Sequence, residues 1–155
     1  MANRIDELVK LVPNKTVVAD IGTDHAYLII NLLLSKKIRY AYAIDNKDGP
    51  ILNATNNIKK NHLENKCEVI KADGLNFKLS KRVNTLVFAG LGGLNVINMI
   101  KENQDKLKYI KYIVTDIHRD DAKVKAFLES LGFKVSKSID IIDKKKGYHL
   151  VRYAK

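Results

Sequence analysis

The stretch from Thr16 to Leu28, TVVADIGTDHAYL, constrains the fold of this chain more than any other segment. A short run of β-branched and apolar residues ends in an acid, Asp20. Gly22 follows, a residue type that adopts backbone angles closed to others. The stretch therefore predicts a strand, a tight turn and a helix. Because ligands of open α/β sheets bind outside the carboxyl ends of the strands, we expect the functional site at this turn.

The remaining sequence continues the alternation of strands and helices. A first helix is predicted at residues 4–12 and ends at Pro13. The strands before the C-terminal segment are predicted at residues 16–21, 40–45, 67–72, 83–89 and 109–116. The last two strands, at residues 133–142 and 148–153, have no helix between them, which predicts a hairpin. We therefore expect an α/β fold with a mostly parallel seven-stranded sheet, a C-terminal antiparallel hairpin and helices on both faces.

Length and composition limit the classes of protein that fit. A chain of 155 residues is expected to form one domain over residues 1–155. No apolar run approaches the roughly 20 residues of a membrane span, and the polar start lacks a signal-peptide core, so we expect a cytoplasmic protein without a membrane partner. We also expect a monomer. The lone Cys67, and histidines without ligand spacing, favour no bound metal. The formal net charge of +11 favours a polyanionic partner, although scattered lysines are also typical of a solvated surface.

Acids also end the second and third predicted strands. Asp45 ends the second strand, where a carboxylate can accept two hydrogen bonds from the hydroxyls of a ribose. The alternative is that Asp45 only caps the end of the strand. Asp73 and Gly74 follow the third strand. A carboxylate there can accept a hydrogen bond from the exocyclic amine of an adenine, and the alternative is an ordinary Asp-Gly turn.

The residues of the first turn indicate the charge of the ligand. A dinucleotide-binding turn has a glycine where this sequence has Asp24, and Ala26 stands where a further glycine would be expected. A carboxylate there repels phosphate, which disfavours a nicotinamide-dependent oxidoreductase. Asp20 and Asp24 instead suit a ligand with cationic groups, such as the ammonium and sulfonium of S-adenosylmethionine. The alternative is a structural turn in which Asp24 caps the following helix.

Three glycines, Gly90, Gly92 and Gly93, follow the near-continuous apolar strand at residues 83–89. They allow the backbone to approach a flat or bulky group closely, and the alternative is a flexible connection to the next helix. Five alternating strands followed by a hairpin form the Rossmann-like layout of class I methyltransferases rather than that of a nicotinamide-binding domain.

These motifs resemble those of the bacterial tRNA (adenine(22)-N1)-methyltransferase family over nearly the whole sequence. The resemblance rests on ADIGTDHAYL from Ala19, AIDNKDGP from Ala43, ADGL from Ala72 and AGLGG from Ala89. It implies transfer of a methyl group from S-adenosylmethionine to N1 of adenine 22 in tRNA. Family members usually continue into a C-terminal helical extension. If that extension helps to grip tRNA, we expect a chain ending at Lys155 to bind cofactor yet methylate poorly.

The resemblance also implies a role for each motif residue. The methionine end of the cofactor would lie at the first turn, its ribose at Asp45 and its adenine at Asp73. The implied cofactor-binding residues are Asp20, Gly22, Asp24, His25, Asp45, Asn46, Asp73, Gly74 and Gly90. Gly92 and Gly93 would border the acceptor base. Arg119 and the lysines at 144–146 are candidate phosphate contacts, although a charged hairpin tip is usually just solvated.

The implied reaction needs positioning rather than a strong base. N1 of adenine carries an in-plane lone pair that can attack the methyl group. Holding the reactants in the right orientation lowers the activation free energy by on the order of 7–11 kcal/mol. The adenine must be unpaired or flipped out. The catalytic candidates are Asp24, which would stabilise the developing positive charge, and Tyr27, which would form an aromatic wall. Core packing is the alternative for Tyr27. Three roles are open for His25, which would orient Asp24, contact the base or cap the helix.

Three other functions fit parts of the pattern. A methyltransferase of the same fold acting on another RNA site, a small molecule or a protein would share the cofactor turn. A non-catalytic RNA-binding domain would share the fold and the positive charge. A nicotinamide-dependent oxidoreductase would share the first strand and turn but not Asp24.

Overall fold

A computed structural model describes residues 3–155 of the chain. The strands are β1 Val17–Ile21, β2 Tyr40–Asp45, β3 Cys67–Lys71, β4 Thr85–Leu91, β5 Tyr112–Ile117, β6 Lys134–Asp143 and β7 Lys146–Ala154. The helices are α1 Arg4–Leu11, α2 Tyr27–Leu34, α3 Asp48–Lys60, α4 Gly93–Lys101 and α5 Asp121–Ser130, with a 3-10 helix at Gln104–Tyr109. No helix within residues 3–155 has the length and apolar character needed to cross a bilayer.

The strands form one seven-stranded sheet in the order β3-β2-β1-β4-β5-β7-β6. Strands β1 to β5 pair in parallel, and β7 pairs antiparallel with both β5 and β6. The predicted mixed sheet with a C-terminal hairpin is therefore confirmed. Because the strand order reverses between β1 and β4, a crevice opens at their carboxyl ends, where ligands of such sheets bind.

Helices cover both faces of the sheet, as predicted. One apolar core lies under α1, α2 and α3, and the other lies under α4 and α5. Strand β4 contributes to both, since Val87 belongs to the first core while Leu86 and Phe88 belong to the second, and all three are fully buried. This double burial explains why the segment reads as a continuous apolar run.

Several predicted boundaries differ from the structure. Strand β4 continues past Ala89 to Leu91, because a bulge there keeps it paired with β5. The segment at 104–109 forms a 3-10 helix, so β5 begins at Tyr112 instead of residue 109. The hairpin turn is also tighter than predicted, because Asp143 pairs with Lys146 and leaves only two residues between the strands.

Candidate functional site

Two cavities lie side by side at the carboxyl ends of the parallel strands. The β3-side cavity, of about 520 Å³, lies between the Asp73 turn and α4. The α1-side cavity, of about 560 Å³, lies between α1, the Gly22 turn and the hairpin. Both volumes fall within the range of small-molecule sites, about 300–1,000 Å³. The residues that line both cavities are Gly22, Asp45, Asn46, Lys47 and Leu91.

The Gly22 turn separates the two cavities and is tied to the neighbouring strand. The backbone amides of Gly22 and Thr23 both donate to the carbonyl oxygen of Ile44, at 2.9 and 2.8 Å. Gly22 has a φ of +79°, and a Cβ added there would lie 3.4 Å from the Leu91 side chain. The turn therefore favours glycine for its backbone angle, and a Cβ there would only touch the Leu91 side chain.

Asp45 lies on the boundary between the cavities and holds the backbone around it. One carboxylate oxygen accepts hydrogen bonds from the amides of Asn46 and Lys47, at 2.9 and 3.3 Å. The other oxygen accepts a hydrogen bond from the amide of Asp24, at 3.2 Å. These are the contacts of a strand-end cap, and they also fix a carboxylate in the wall of both cavities. The predicted ribose contact stays a prediction.

Asp20 contributes a buried carboxylate to the α1-side cavity. It is only 4% exposed, and burial raises its pKa from 3.8 to about 6. The guanidinium of Arg4 opposes this rise in pKa, whereas the nearby carboxylate of Asp45 adds to it. Because desolvation disfavours the charged form, a cationic ligand in this cavity would favour ionised Asp20.

Asp24 is exposed and does not cap the helix. Its side chain is 66% exposed and its backbone adopts a φ of +55°. The N-cap of α2 is Ala26, and no side chain caps that helix end, so the structural alternatives of helix capping by Asp24 or His25 are wrong. Nε2 of His25 lies 3.8 Å from the Asp24 carboxylate, beyond hydrogen-bond distance, and the orienting role of His25 stays a prediction.

Tyr27 lies at the mouth of the α1-side cavity rather than in the core. Its side chain is 54% exposed, so the alternative of core packing is wrong. Its ring stacks on that of His25, with the centroids 5.0 Å apart and an interplanar angle of 15°. The two rings form an aromatic surface beside Asp24, where a flat base can lie.

The Asp73 turn forms one wall of the β3-side cavity. Asp73 is exposed, and its carbonyl oxygen accepts a hydrogen bond from the amide of Asn76 at 3.0 Å. Gly74 is buried with a φ of +59°, and a Cβ added there would lie 2.8 Å from Cγ of Met99. The turn therefore packs directly on α4, and a side chain at position 74 would disturb the cavity wall.

The glycines after β4 have different surroundings. Gly90 lines the α1-side cavity. Gly92 is the N-cap of α4, and Gly93 is buried where an added Cβ would lie 2.6 Å from the carbonyl oxygen of Arg119. Gly93 also donates its amide to that oxygen at 2.8 Å. Neither Gly92, Gly93 nor Arg119 lines either cavity, so their contact with a substrate stays a prediction.

Arg4 is the main site residue that sequence analysis missed. Its Nε donates to the carboxylate of Asp116, its amide donates to Asp143 at 3.0 Å, and its guanidinium lies 5.4 Å from the ring centre of Tyr148. Arg4 thus joins α1, β5 and the hairpin beneath the α1-side cavity. No local motif marks this residue, because its partners lie more than a hundred positions away.

A polar face of α4 was also missed. Asn95, Asn98 and Glu102 line the β3-side cavity together with Met99. Their spacing of three and four residues, which places side chains on one helix face, is a signal that could have found them. Among residues 3–155, no three His, Cys, Asp or Glu side chains are arranged to hold a metal ion.

The sheet order and the crevice at the strand ends define a Rossmann-like methyltransferase fold. The sequence pattern of the methyltransferase-domain family matches residues 1–151. The chain belongs to this family. Family membership favours the methyltransferase interpretation over the nicotinamide-dependent alternative.

Individual relatives point to a narrower group. The tRNA (adenine(22)-N(1))-methyltransferase of Bacillus subtilis (strain 168) is 33% identical over 107 residues, which is 69% of this chain and 45% of that protein. The chain spans about half the length of the curated relatives it matches.

Solved structures agree with this likeness. The crystal structure of the B. subtilis m1A22 tRNA methyltransferase has a TM-score of 0.92 and 25% identity, covering 99% of this chain and 66% of that one. The M. capricolum enzyme TrmK, solved with S-adenosyl-homocysteine, has a TM-score of 0.89 and 26% identity, covering 100% and 69%.

Proposed function

We propose that this chain transfers a methyl group from S-adenosylmethionine to N1 of adenine 22 in tRNA, in the cytoplasm. The function of the B. subtilis relative supports this assignment, as does the S-adenosyl-homocysteine bound to M. capricolum TrmK. The observation that carries it is the pair of cavities joined at Asp45, with Asp20 and Asp24 in the cavity where a cationic group would lie.

The residues present fit S-adenosylmethionine. The β3-side cavity, lined by Asp73, Gly74 and Met99, has a volume of about 520 Å³ that would admit an adenine ring, and the Asp73 carboxylate would accept a hydrogen bond from its exocyclic amine. Asp45 lies between the cavities, where a ribose joining the two ends of the cofactor would lie. In the α1-side cavity, Asp20 and Asp24 would hold the ammonium and sulfonium groups by charge.

The chain's residues contribute positioning and charge to the reaction. When bound, S-adenosylmethionine supplies a methyl group activated by its sulfonium. The stacked rings of His25 and Tyr27 would hold the acceptor adenine, and the exposed Asp24 carboxylate would stabilise the positive charge that develops on the methylated ring. N1 needs no prior deprotonation, so the absence of a strong base in these roles is consistent with the reaction. Alignment of N1 with the methyl carbon and the sulfur would account for the rate of methyl transfer.

A transfer assay tests the proposal. Unmodified tRNA is incubated with the 155-residue chain and methyl-labelled S-adenosylmethionine, and the modified nucleoside is mapped by mass spectrometry. We expect 1-methyladenosine at position 22. The product should be lost in Asp24→Ala and retained in Asp105→Ala, which removes an exposed carboxylate outside both cavities.

Methylation of another nucleoside, or of small amines alone, would contradict the proposed substrate. No detectable heat with millimolar cofactor in calorimetry would favour a non-catalytic RNA-binding domain.

A further inference from the structure

A basic turn lies at the rim of the α1-side cavity, and the proposed reaction does not use it. Lys144 and Lys145 form the two-residue turn between β6 and β7, and Lys146 begins β7. Lys146 lines the α1-side cavity, and all three lysines are exposed. Because β7 runs antiparallel to β5, this turn lies at the same end of the sheet as the cavities.

The backbone of the turn does not favour lysine. Lys144 and Lys145 have φ values of +51° and +67°, the two positive angles of a type I′ hairpin turn. Asn-Gly is the favoured pair there, because asparagine and glycine adopt the left-handed region more readily than other residues. Lysine is therefore not the residue type that the turn geometry favours, although Lys15 and Lys36, which lie outside the α1-side cavity, also have positive φ values.

The turn is held in place beside the cavity. Asp143, which precedes it, accepts a hydrogen bond from the amide of Arg4 at 3.0 Å. The ring of Tyr148, which follows it, lies 5.4 Å from the Arg4 guanidinium and 5.3 Å from Nζ of Lys146. These contacts fix the position of the lysines relative to α1 and to the cavity rim.

Among residues 3–155, the three lysines form no ion pair, and only Lys146 has an aromatic neighbour, the ring of Tyr148. Lys10, Lys71 and Lys123 each form an ion pair with a carboxylate. Across residues 3–155, no carboxylate lies within ion-pair distance of the lysines at 144–146. Their positive charge is therefore available to an external anion.

We propose that Lys144, Lys145 and Lys146 bind the RNA phosphate backbone next to the adenine that enters the α1-side cavity. The inference rests on the proposed function and adds the contact that orients the substrate. Three lysines on an anchored turn at the mouth of a cavity that takes a flipped base suit phosphates of the flanking nucleotides, because phosphate contacts set the register of a nucleic acid on a protein.

A variant that keeps the turn and removes its charge tests this inference. The double variant Lys144→Asn, Lys145→Gly introduces the favoured type I′ pair, so we expect it to melt at the same or a higher temperature than the wild type. The matched control is Lys59→Gln, Lys60→Gln, which removes two exposed lysines from the end of α3, at the opposite end of the sheet. Both are compared with the wild type for binding of unmodified tRNA over a range of salt concentrations.

We expect the turn variant to bind tRNA about three- to tenfold more weakly, with a salt slope smaller by about one to two. The control should bind like the wild type, and both should keep the wild-type affinity for S-adenosylmethionine in calorimetry. Unchanged tRNA binding in the turn variant, or equal weakening in the control, would overturn the inference. The binding comparison needs no methyl transfer. A wild type that binds tRNA through the turn but methylates none would therefore overturn only the proposed function.

Discussion

The two cavities are built by different kinds of interaction, although they share the Gly22 turn and Asp45. The α1-side cavity depends on charge balance between distant segments, since Arg4 joins Asp116, Asp143 and Tyr148 beneath it. The β3-side cavity depends on local backbone shape, in which a positive-φ turn packs on one helix. Loss of the Arg4 charge should therefore damage the first cavity, and added volume at the Asp73 turn should damage the second.

Removing the Arg4 guanidinium should have the largest effect. Arg4→Met leaves the carboxylate of Asp116, which is 2% exposed, buried without its cation. We expect the free energy of unfolding to fall by about 3–5 kcal/mol, measured by urea denaturation, because an unpaired buried charge is costly.

The matched control is Lys10→Met on the same helix, which breaks the more exposed pair with Glu7 and should cost less than about 1 kcal/mol. Adding Asp116→Asn to the Arg4→Met variant should restore part of the loss, since it removes the unpaired charge. If Arg4→Met costs no more than Lys10→Met, charge balance does not hold the α1-side cavity together.

The raised pKa of Asp20 should make stability depend on pH. Folding raises this pKa from 3.8 to about 6, so between these values the folded chain binds a proton that the unfolded chain releases. The stabilising effect of that proton is fully present below the lower value and is lost as the pH rises through the higher one. Asp20→Asn cannot ionise. Above about pH 6 it should therefore be more stable than the wild type by about 3 kcal/mol, the equivalent of the pKa shift.

The measurement is urea denaturation of both proteins at about pH 4 and about pH 7.5, with the exposed Asp105→Asn as control. The difference in the free energy of unfolding between the wild type and Asp20→Asn should grow with pH. The difference between the wild type and Asp105→Asn should not. S-adenosylmethionine should also bind the wild type more tightly at the higher pH, because it favours ionised Asp20. Parallel stability curves for wild type and Asp20→Asn would show that Asp20 titrates like an ordinary carboxyl.

A change of volume at the Asp73 turn tests the β3-side cavity. Gly74→Ala places a methyl group 2.8 Å from Cγ of Met99 at a φ of +59°, so we expect a loss of about 1–3 kcal/mol in stability and weaker binding of S-adenosylmethionine. The control, Gly49→Ala, adds a methyl group with no atom within 4 Å in α3 and should be neutral or stabilising. If calorimetry gives the two variants equal affinity for S-adenosylmethionine, the β3-side cavity does not bind the cofactor.

The sequence predicted the parts of the site that depend on local pattern. Strand β2 has the predicted bounds, Tyr40–Asp45, and the acids at the strand ends lie in or beside the crevice because parallel strands end at one edge. The pairing of Arg4 with Asp116 was not predictable in this way, because two single residues 112 positions apart leave no periodic signal. Gly93 shows the same limit, since a glycine required by a neighbouring carbonyl looks identical in sequence to one in a flexible loop.

A crystal structure of this chain with S-adenosyl-homocysteine would show where each part of the cofactor binds. We expect the adenine in the β3-side cavity against Asp73 and Gly74, the ribose hydroxyls on Asp45, and the homocysteine end in the α1-side cavity near Asp20. A ligand bound elsewhere, for example in the separate cavity lined by Asp121 and His149, would contradict this expectation. So would a ligand in the reverse orientation.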